Sequence, residues 1–158
     1  MQPNYKNSFS AMPDSSRLWV YAADRVFSAE EEAWINENIQ QFLLGWNNHG
    51  KELTADGKVF ENRFIVFTVN EAMVNASGCS IDSSVRFVKE IGTALKINFF
   101  DRLNLWVKSE DSFNRVHLSD LGANADANLF NPMIANLGEF RNAWLIPVAD
   151  SILLKQMA

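Results

Sequence analysis

The feature that most constrains the fold is the run of β-forming residues at positions 63–69, Arg-Phe-Ile-Val-Phe-Thr-Val. Val, Ile and Phe favour extended backbone, and successive side chains of a strand point to opposite faces of its sheet. In this run, apolar residues fall on both faces. It therefore predicts a central strand, either covered on both sides or with its outer face against a partner.

Two amphipathic helices are predicted, one before and one after this strand. Ser28 and Glu31 match a capping box, and the apolar residues behind it recur at helical spacing. This first helix is expected to end within residues 47–50, with Gly50 as its C-cap. The second helix is expected from residue 81 or 82, because apolar residues again recur at helical spacing, at Val85, Val88, Ile91 and Leu95.

Three further strands complete the pattern. Residues 18–23 are short and apolar, residues 51–60 alternate weakly around an Asp56-Gly57 turn signal, and residues 103–108 alternate between apolar and polar side chains. The resulting order β-α-β-β-α-β is the split βαβ of the ferredoxin-like class. We therefore predict an α+β fold, a ferredoxin-like β-α-β-β-α-β sandwich with an irregular C-terminal extension.

The two ends of the chain carry weaker patterns. Residues 1–16 are polar without periodicity and predict a flexible N-terminal arm. Residues 17–158 are expected to form a single α+β domain, because the chain is long enough for one core and too short for two. Residues 109–131 predict an irregular excursion with a short helix at 118–121. Residues 144–148 predict an edge strand that contains Pro147.

Composition excludes several classes of function. The 158 residues carry 19 acidic and 14 basic side chains and a net charge of -5, whereas nucleic-acid binding normally rests on clustered Lys and Arg. The aromatics Trp19, Tyr21, Phe64 and Phe67 are accordingly expected in the core. No apolar run has membrane-spanning length, and a single cysteine fits a reducing compartment. We predict a cytoplasmic protein with no nucleic-acid partner and no membrane insertion.

Cys79 is the sharpest chemical feature of the chain. It lies within residues 76–82, where a strand-like run stops and a helix-like run begins, and the positive end of a helix dipole favours the nucleophilic thiolate. Cys79 is therefore the candidate catalytic residue, with His49 as a conceivable base. A ferredoxin-like layout is expected to place His49 and Cys79 at opposite ends of the sheet. The alternative is a buried, structural cysteine, since free cysteines are mostly buried.

Other residues are candidates for ligand binding. Gly78, Ser80 and Asp82 lie at the expected start of the second helix, where Ser80 and Asp82 could cap it or the backbone could hold an anion. Arg63 and Arg102 are candidates for a small anionic substrate, and His49 is a ligand-binding candidate as well. His117 stands alone, so no metal site is predicted. No cofactor is predicted.

Residues 45–51 match G-x-x-x-x-G-K, the beginning of a phosphate-binding loop. The motif fails at the next position, because Glu52 replaces the Ser or Thr whose hydroxyl binds magnesium. The segment also ends a helix, whereas a phosphate-binding loop opens one. Nucleotide hydrolysis is therefore not predicted.

Several segments together carry a resemblance to a known family: residues 17–21, Trp46 with residues 49–50, residues 62–66, 77–82 and 100–102, and Trp144 with Pro147. On these segments the chain resembles, over residues 17–151, a family of short, functionally uncharacterised bacterial proteins often labelled ABC-transporter ATPases. The cysteine segment is the most specific part. The label implies ATP hydrolysis, but the sequence has no complete Walker A motif and no ABC signature. The resemblance thus implies kinship without supplying an activity.

Two functions follow as expectations. The first is a non-catalytic interaction or ligand-binding module that acts as a homodimer, because the central strand is apolar on both faces and no catalytic set is complete. Its partner would be a second copy, another protein or a small anionic ligand. The alternative is a thiol-dependent enzyme or redox sensor with Cys79 as the nucleophile.

Overall fold

The computed structural model describes residues 5–157, with side chains described as far as residue 154. Mixed helices and antiparallel sheets make the fold α+β. The elements in chain order are β1 (Arg17–Ala22), α1 (Ala29–Leu44), β2 (Asn47–Asn48), β3 (Lys51–Glu52), β4 (Thr54–Phe60), β5 (Phe64–Asn70), α2 (Gly78–Leu95), β6 (Asn104–Ser109), β7 (Ser112–His117), a 3-10 helix (Leu118–Asn124), β8 (Asn128–Phe130), α3 (Leu137–Ala143), β9 (Leu145–Pro147), a 3-10 turn (Val148–Asp150) and α4 (Ile152–Met157).

The first sheet has the order β1-β5-β4, and both pairings are antiparallel. β1 and β4 are therefore parallel to each other with β5 between them, which is the split βαβ arrangement. Helices α1 and α2 cover one face of this sheet. The core on that face is built from Ile35, Ile39, Val88 and Ile91 of the helices and Ile65, Phe67 and Val69 of β5.

β5 is buried on both faces, which confirms the prediction of a central strand. Phe64 and Val66 point away from the helices into a second core. Trp144, only 1% exposed, lies in that core, with its ring centroid 4.8 Å from that of Phe64 and 4.9 Å from that of Phe130. The outer face of β5 is thus covered by this chain itself.

The ferredoxin-like sandwich predicted from the sequence is not formed, because the last predicted strand does not join the first sheet. β6 belongs to a separate antiparallel sheet of order β7-β6-β8-β9. Its partner β7 follows after only two residues, and closing so short a loop costs less chain entropy than a return across the molecule to β1. The outer edge of β1 is occupied instead by the segment before α3, where Leu18 N–H donates to the Ala135 carbonyl at 3.1 Å.

The N-terminal segment differs from the predicted flexible arm. Residues 1–4 lie outside the described residues, but Tyr5, Phe9 and Met12 are buried in the second core. The Arg141 guanidinium donates to the carbonyl oxygens of Ser8, Phe9 and Met12 at 2.8–3.1 Å. A cation on α3 thereby ties the polar segment to the domain, a long-range contact with no local signal.

The end of α1 also differs from the position predicted from the sequence. α1 begins after Ser28 with the expected capping box but ends at Leu44. Gly45 N–H donates to the Phe42 carbonyl and Trp46 N–H to the Leu43 carbonyl. Gly50 is not its C-cap, because it lies in the turn between β2 and β3.

Gly57 does not form the predicted turn, because it lies inside β4 opposite Phe67. An ideal Cβ at Gly57 would lie 2.7 Å from the Phe67 ring, so the site accepts only glycine without rearrangement.

The C-terminal part is more ordered than expected from its sequence. Within residues 109–131, β7, the 3-10 helix and β8 are formed, and the 3-10 helix includes the short helix predicted at 118–121. β9 lies at the edge of its sheet, as predicted, but spans only Leu145–Pro147 of the expected residues 144–148. Between residues 5 and 157, none of the helices combines the length and apolarity needed to cross a bilayer.

Candidate functional site

The first turn of α2 is held by a reciprocal pair of serines. Ser77 is the N-cap, with its hydroxyl accepting from Ser80 N–H at 3.1 Å, while Ser77 N–H donates to the Ser80 hydroxyl at 3.2 Å. The helix therefore begins at Gly78, three or four residues earlier than predicted. Cys79 is its second residue and is exposed. The prediction of a buried, structural cysteine is thus wrong.

A short hairpin formed by β2 and β3 packs against this turn. The Trp46 indole N–H donates to the Ser80 carbonyl at 2.8 Å, and the Ser80 hydroxyl donates to the Asn47 carbonyl at 2.8 Å. Asn48 Nδ2 donates to the Asn75 carbonyl at 2.8 Å, just ahead of the helix. These bonds fix the segment after α1 against the start of α2.

His49 and Gly50 form the two-residue loop of that hairpin. Both have positive φ, 50° at His49 and 83° at Gly50, as the tight hairpin turns of the primed types require. Asn47 closes the loop, because its Oδ1 accepts from Gly50 N–H at 3.0 Å. The His49 side chain is exposed.

Cys79 and His49 line the same pocket, which has a volume of about 440 Å³. The prediction that they lie at opposite ends of the sheet is wrong. Because β5 runs antiparallel to β1 and β4, the end of α1 and the end of β5 meet at one end of the sheet. The remaining lining residues are Phe42, Gly45, Trp46, Asn47 and Ser83.

The walls of this pocket combine rigid aromatic and polar groups. Trp46 is 2% exposed, and its ring packs against those of Phe42 and Trp19 at centroid distances of 5.3 and 5.9 Å. Ser83 donates its hydroxyl proton to the Cys79 carbonyl at 2.9 Å. An exposed thiol and an exposed imidazole thus line a pocket whose walls include Trp46 and Phe42.

The other candidates of the same segment have different roles. Ser80 is 1% exposed and its hydroxyl bonds within the protein, so it is a capping residue with no access to a ligand. Asp82 is exposed on the second turn and takes no part in the cap formed by Ser77 and Ser80. Gly78 is exposed at the first helical position, adjacent to Cys79.

Arg63 and Arg102 lie at the other end of the sheet. Arg63 precedes β5 and Cys79 follows it, so the seven residues of the strand, on the order of 20 Å when extended, separate them. Arg102 belongs to the loop before β6, which contacts the end of β1 through a 3.1 Å bond from Asn98 N–H to Asp24 Oδ1. Neither arginine is placed to hold an anion at Cys79.

The roles of Trp46 and Phe42 in this pocket were not predicted from the sequence, because both residues also fit the helical spacing behind the Ser28–Glu31 capping box. The signal that could have found them is the Asn-His-Gly sequence at 48–50, which favours a two-residue hairpin directly after the helix. Of the four aromatics weighed as RNA contacts, Phe67, Phe64 and Tyr21 are buried core residues. Trp19 is partly buried against the first core.

Across the described part of the chain, no group of three or more His, Cys, Asp or Glu side chains is arranged to hold a metal ion. The comparisons with protein-family models, with characterised proteins and with solved structures found no match. The family resemblance drawn from the sequence therefore stays a prediction.

Proposed function

We propose that the protein is a small-ligand-binding module whose site is the pocket between the end of α1, the β2–β3 hairpin and the start of α2, with Cys79 as its reactive thiol. The observation that carries this proposal is that the exposed Cys79 and His49 line one pocket. The ferredoxin-like layout expected from the sequence placed these two residues at opposite ends of the sheet. The volume of about 440 Å³ lies in the range of small-molecule sites.

The chemistry available to this pair is nucleophilic. The Cys79 thiol loses its proton to a base, for which His49 is the candidate in the same pocket, and the sulfur forms a bond to an electrophilic atom of the ligand. The bond to the leaving group breaks, and the leaving group takes its electron pair. A disulfide ligand reacts in this way by exchange, with one of its sulfurs leaving as thiolate. A reducing compartment such as the cytoplasm, predicted from the single cysteine, keeps Cys79 available as a thiol.

Alkylation kinetics test the proposal. The rate of reaction of native protein with iodoacetamide is measured against pH, with Cys79→Ser as the blank and urea-unfolded protein as the reference. We expect native Cys79 to react at least as fast as the unfolded reference at neutral pH. Protection of the native thiol until the protein unfolds would overturn the proposal.

A matched histidine pair tests the role of His49. His49→Asn removes the base but suits the left-handed backbone, since asparagine adopts positive φ more readily than most residues. His117→Asn is the control, because His117 is exposed and caps the following 3-10 helix, a role that asparagine also fills. We expect slower alkylation only in His49→Asn. Equal rates in both variants would remove His49 from the mechanism.

Self-association was the other part of the sequence-based expectation. Its main support was the doubly apolar strand, and the outer face of that strand is covered by residues of the same chain. A homodimer therefore stays a prediction, and light scattering at high protein concentration decides it.

A further inference from the structure

A cluster of cations and aromatic rings lies at the end of the sheet opposite Cys79. The guanidinium carbon of Arg63 is 4.0 Å from the centroid of the Phe113 ring and 4.8 Å from that of Trp106. Arg115 is 5.5 Å from the Trp106 ring, and the Lys108 ammonium is 5.2 Å from the Phe113 ring. We call these five residues the arginine cluster.

The β6–β7 hairpin determines most of this geometry. Trp106 pairs directly with Arg115, and Lys108 pairs with Phe113, so these four side chains share one face of the hairpin. Trp106 is 7% exposed, and its indole N–H donates to the Ala23 carbonyl at 2.7 Å. The aromatic rings therefore form a fixed platform for the cations.

The turn that positions Arg63 against these rings has positive φ at two non-glycine residues. Glu61 and Asn62, the two residues before it, both have a φ of 54°, which non-glycine residues seldom adopt. The turn is held from outside, since Ala23 N–H donates to the Arg63 carbonyl and Phe27 N–H donates to the Asn62 carbonyl, both at 2.8 Å. Backbone strain of this kind persists only where the surroundings enforce it, and it concentrates at functional sites.

The charges of the cluster are incompletely matched. Arg115 Nη2 lies 3.3 Å from the Asp101 carboxylate, but within the described part of the chain no carboxylate oxygen lies within 4.0 Å of Arg63. Arg63 Nε and Arg115 Nη1 are buried without a hydrogen-bond partner, which is unfavourable for cationic donors. Burial lowers the pKa of the Arg63 guanidinium, and the Glu61 carboxylate opposes that effect.

We propose that the arginine cluster is a binding site for a phosphate-type oxyanion. Guanidinium groups bind phosphate oxygens through N–H donors at the edge of the planar group. Arg63 Nη1 already donates to the Glu61 carbonyl at 2.8 Å, so the donors that Arg63 can offer an anion are those of Nε and Nη2. Three cations, against the Asp101 carboxylate paired with Arg115 and the Glu61 carboxylate that acts on Arg63, leave the cluster with an excess positive charge that favours an anion. The site is separate from the pocket at Cys79 and does not depend on the function proposed for it.

Arginine side-chain NMR tests this assignment directly. The Nε–H resonances of ¹⁵N-labelled wild-type protein are followed while phosphate replaces chloride at constant ionic strength, and the Arg63 resonance is identified by its loss in Arg63→Gln. We expect saturable shifts at Arg63 and Arg115 and none at Arg86, which is exposed on α2. Absent shifts, or shifts that chloride reproduces, would overturn the proposal.

Single substitutions distinguish phosphate binding by the arginine cluster from a purely structural role of its cation–aromatic contacts. Arg63→Gln should weaken phosphate binding at least tenfold, as read from the Arg115 resonance, whereas Arg86→Gln should leave it unchanged. Lys108 is half-buried, and Lys108→Gln should weaken phosphate binding several-fold. If Arg63→Gln does not fold, Lys108→Gln alone tests whether the arginine cluster binds phosphate. Unchanged affinity in Lys108→Gln and in any folded Arg63→Gln would contradict the proposal.

A second titration distinguishes the source of the oxyanion. Adenosine monophosphate is compared with inorganic phosphate on the wild-type protein. Tighter binding of the nucleotide indicates that the site reads the phosphoryl group of a larger ligand. Equal affinity indicates that it reads the oxyanion alone. Failure of both to shift Arg63 and Arg115 contradicts the proposal and leaves the pocket at Cys79 untouched.

Discussion

The indole N–H of Trp46 donates a 2.8 Å hydrogen bond to the carbonyl oxygen of Ser80. This bond joins the residue just after α1 to the first turn of α2, across 34 positions of sequence. Both partners are buried, since Trp46 is 2% and Ser80 1% exposed. The bond therefore holds together the two walls of the pocket that Cys79 and His49 line.

Trp46→Phe tests this connection. The variant keeps an aromatic ring but loses the indole donor and part of the buried volume, so we expect a loss of about 1–3 kcal/mol in the free energy of unfolding. Urea denaturation measures the change. The matched control is Trp34→Phe, because Trp34 is 40% exposed on α1, and we expect less than about 0.5 kcal/mol there. Equal losses in both variants would show that the hydrogen bond from Trp46 to Ser80 makes no measurable contribution to the free energy of unfolding.

Two glycine substitutions should have opposite effects. Gly57→Ala places a methyl group 2.7 Å from the buried Phe67 ring, and such overpacking is expected to destabilise the protein by about 1–3 kcal/mol. Gly78→Ala meets no atom within 4 Å at the first position of α2, and we expect stabilisation of up to about 1 kcal/mol. Thermal unfolding of the two variants compares them. A neutral Gly57→Ala would contradict the close packing between β4 and β5.

Arg141→Gln should release the N-terminal segment. The arginine side chain is 12% exposed, and its donors satisfy three backbone carbonyls besides a 2.6 Å ion pair with Asp14. Their loss leaves the Ser8 and Met12 carbonyls without this donor, while the Phe9 carbonyl keeps its bond from Met12 N–H, so we expect about 2–4 kcal/mol of destabilisation. Hydrogen exchange should become faster within residues 5–16, with Arg86→Gln as the exposed control. Unchanged exchange in that segment would mean that the buried aromatics alone hold it.

Acid stability should depend on Glu31. The Arg25 guanidinium, followed by the Ser28 backbone N–H, lowers the pKa of the Glu31 carboxyl from 4.5 to about 2. Because the pKa is lowered in the folded state, the contribution to stability is present above the unfolded value and is lost as the pH falls from about 4.5 to about 2. The pair is partly exposed, so we expect at most about 1 kcal/mol.

Urea unfolding of wild type and Glu31→Gln at pH 6 and pH 3 checks this linkage. The difference between the two proteins should be larger at pH 6 and should shrink at pH 3. Glu30→Gln is the matched control, because Glu30 lies in the same exposed first turn. A difference that does not change between the two pH values would contradict the role assigned to Glu31.

Much of the secondary structure could be predicted because its causes are local. The Ser28–Glu31 capping box and the helical spacing behind it depend on residues within two or three turns of each other, and α1 begins where they place it. The alternation of residues 104–108 likewise predicts β6 whichever strand it pairs with. Gly57 misled the prediction because glycine also occurs where another side chain lies too close for a Cβ, and only the Phe67 ring shows this.

The residues of β5 alone predict burial on both faces, because a strand that is apolar on both sides does not leave either face in water. Long-range packing places the N-terminal segment and α3 over its outer face and pairs β6 with β7 instead of β1. It also brings His49 and Cys79 to one pocket and stacks Arg63 on Trp106. These outcomes depend on contacts between residues far apart in the chain, whose free energies compete across the whole molecule and leave no periodic pattern in the sequence.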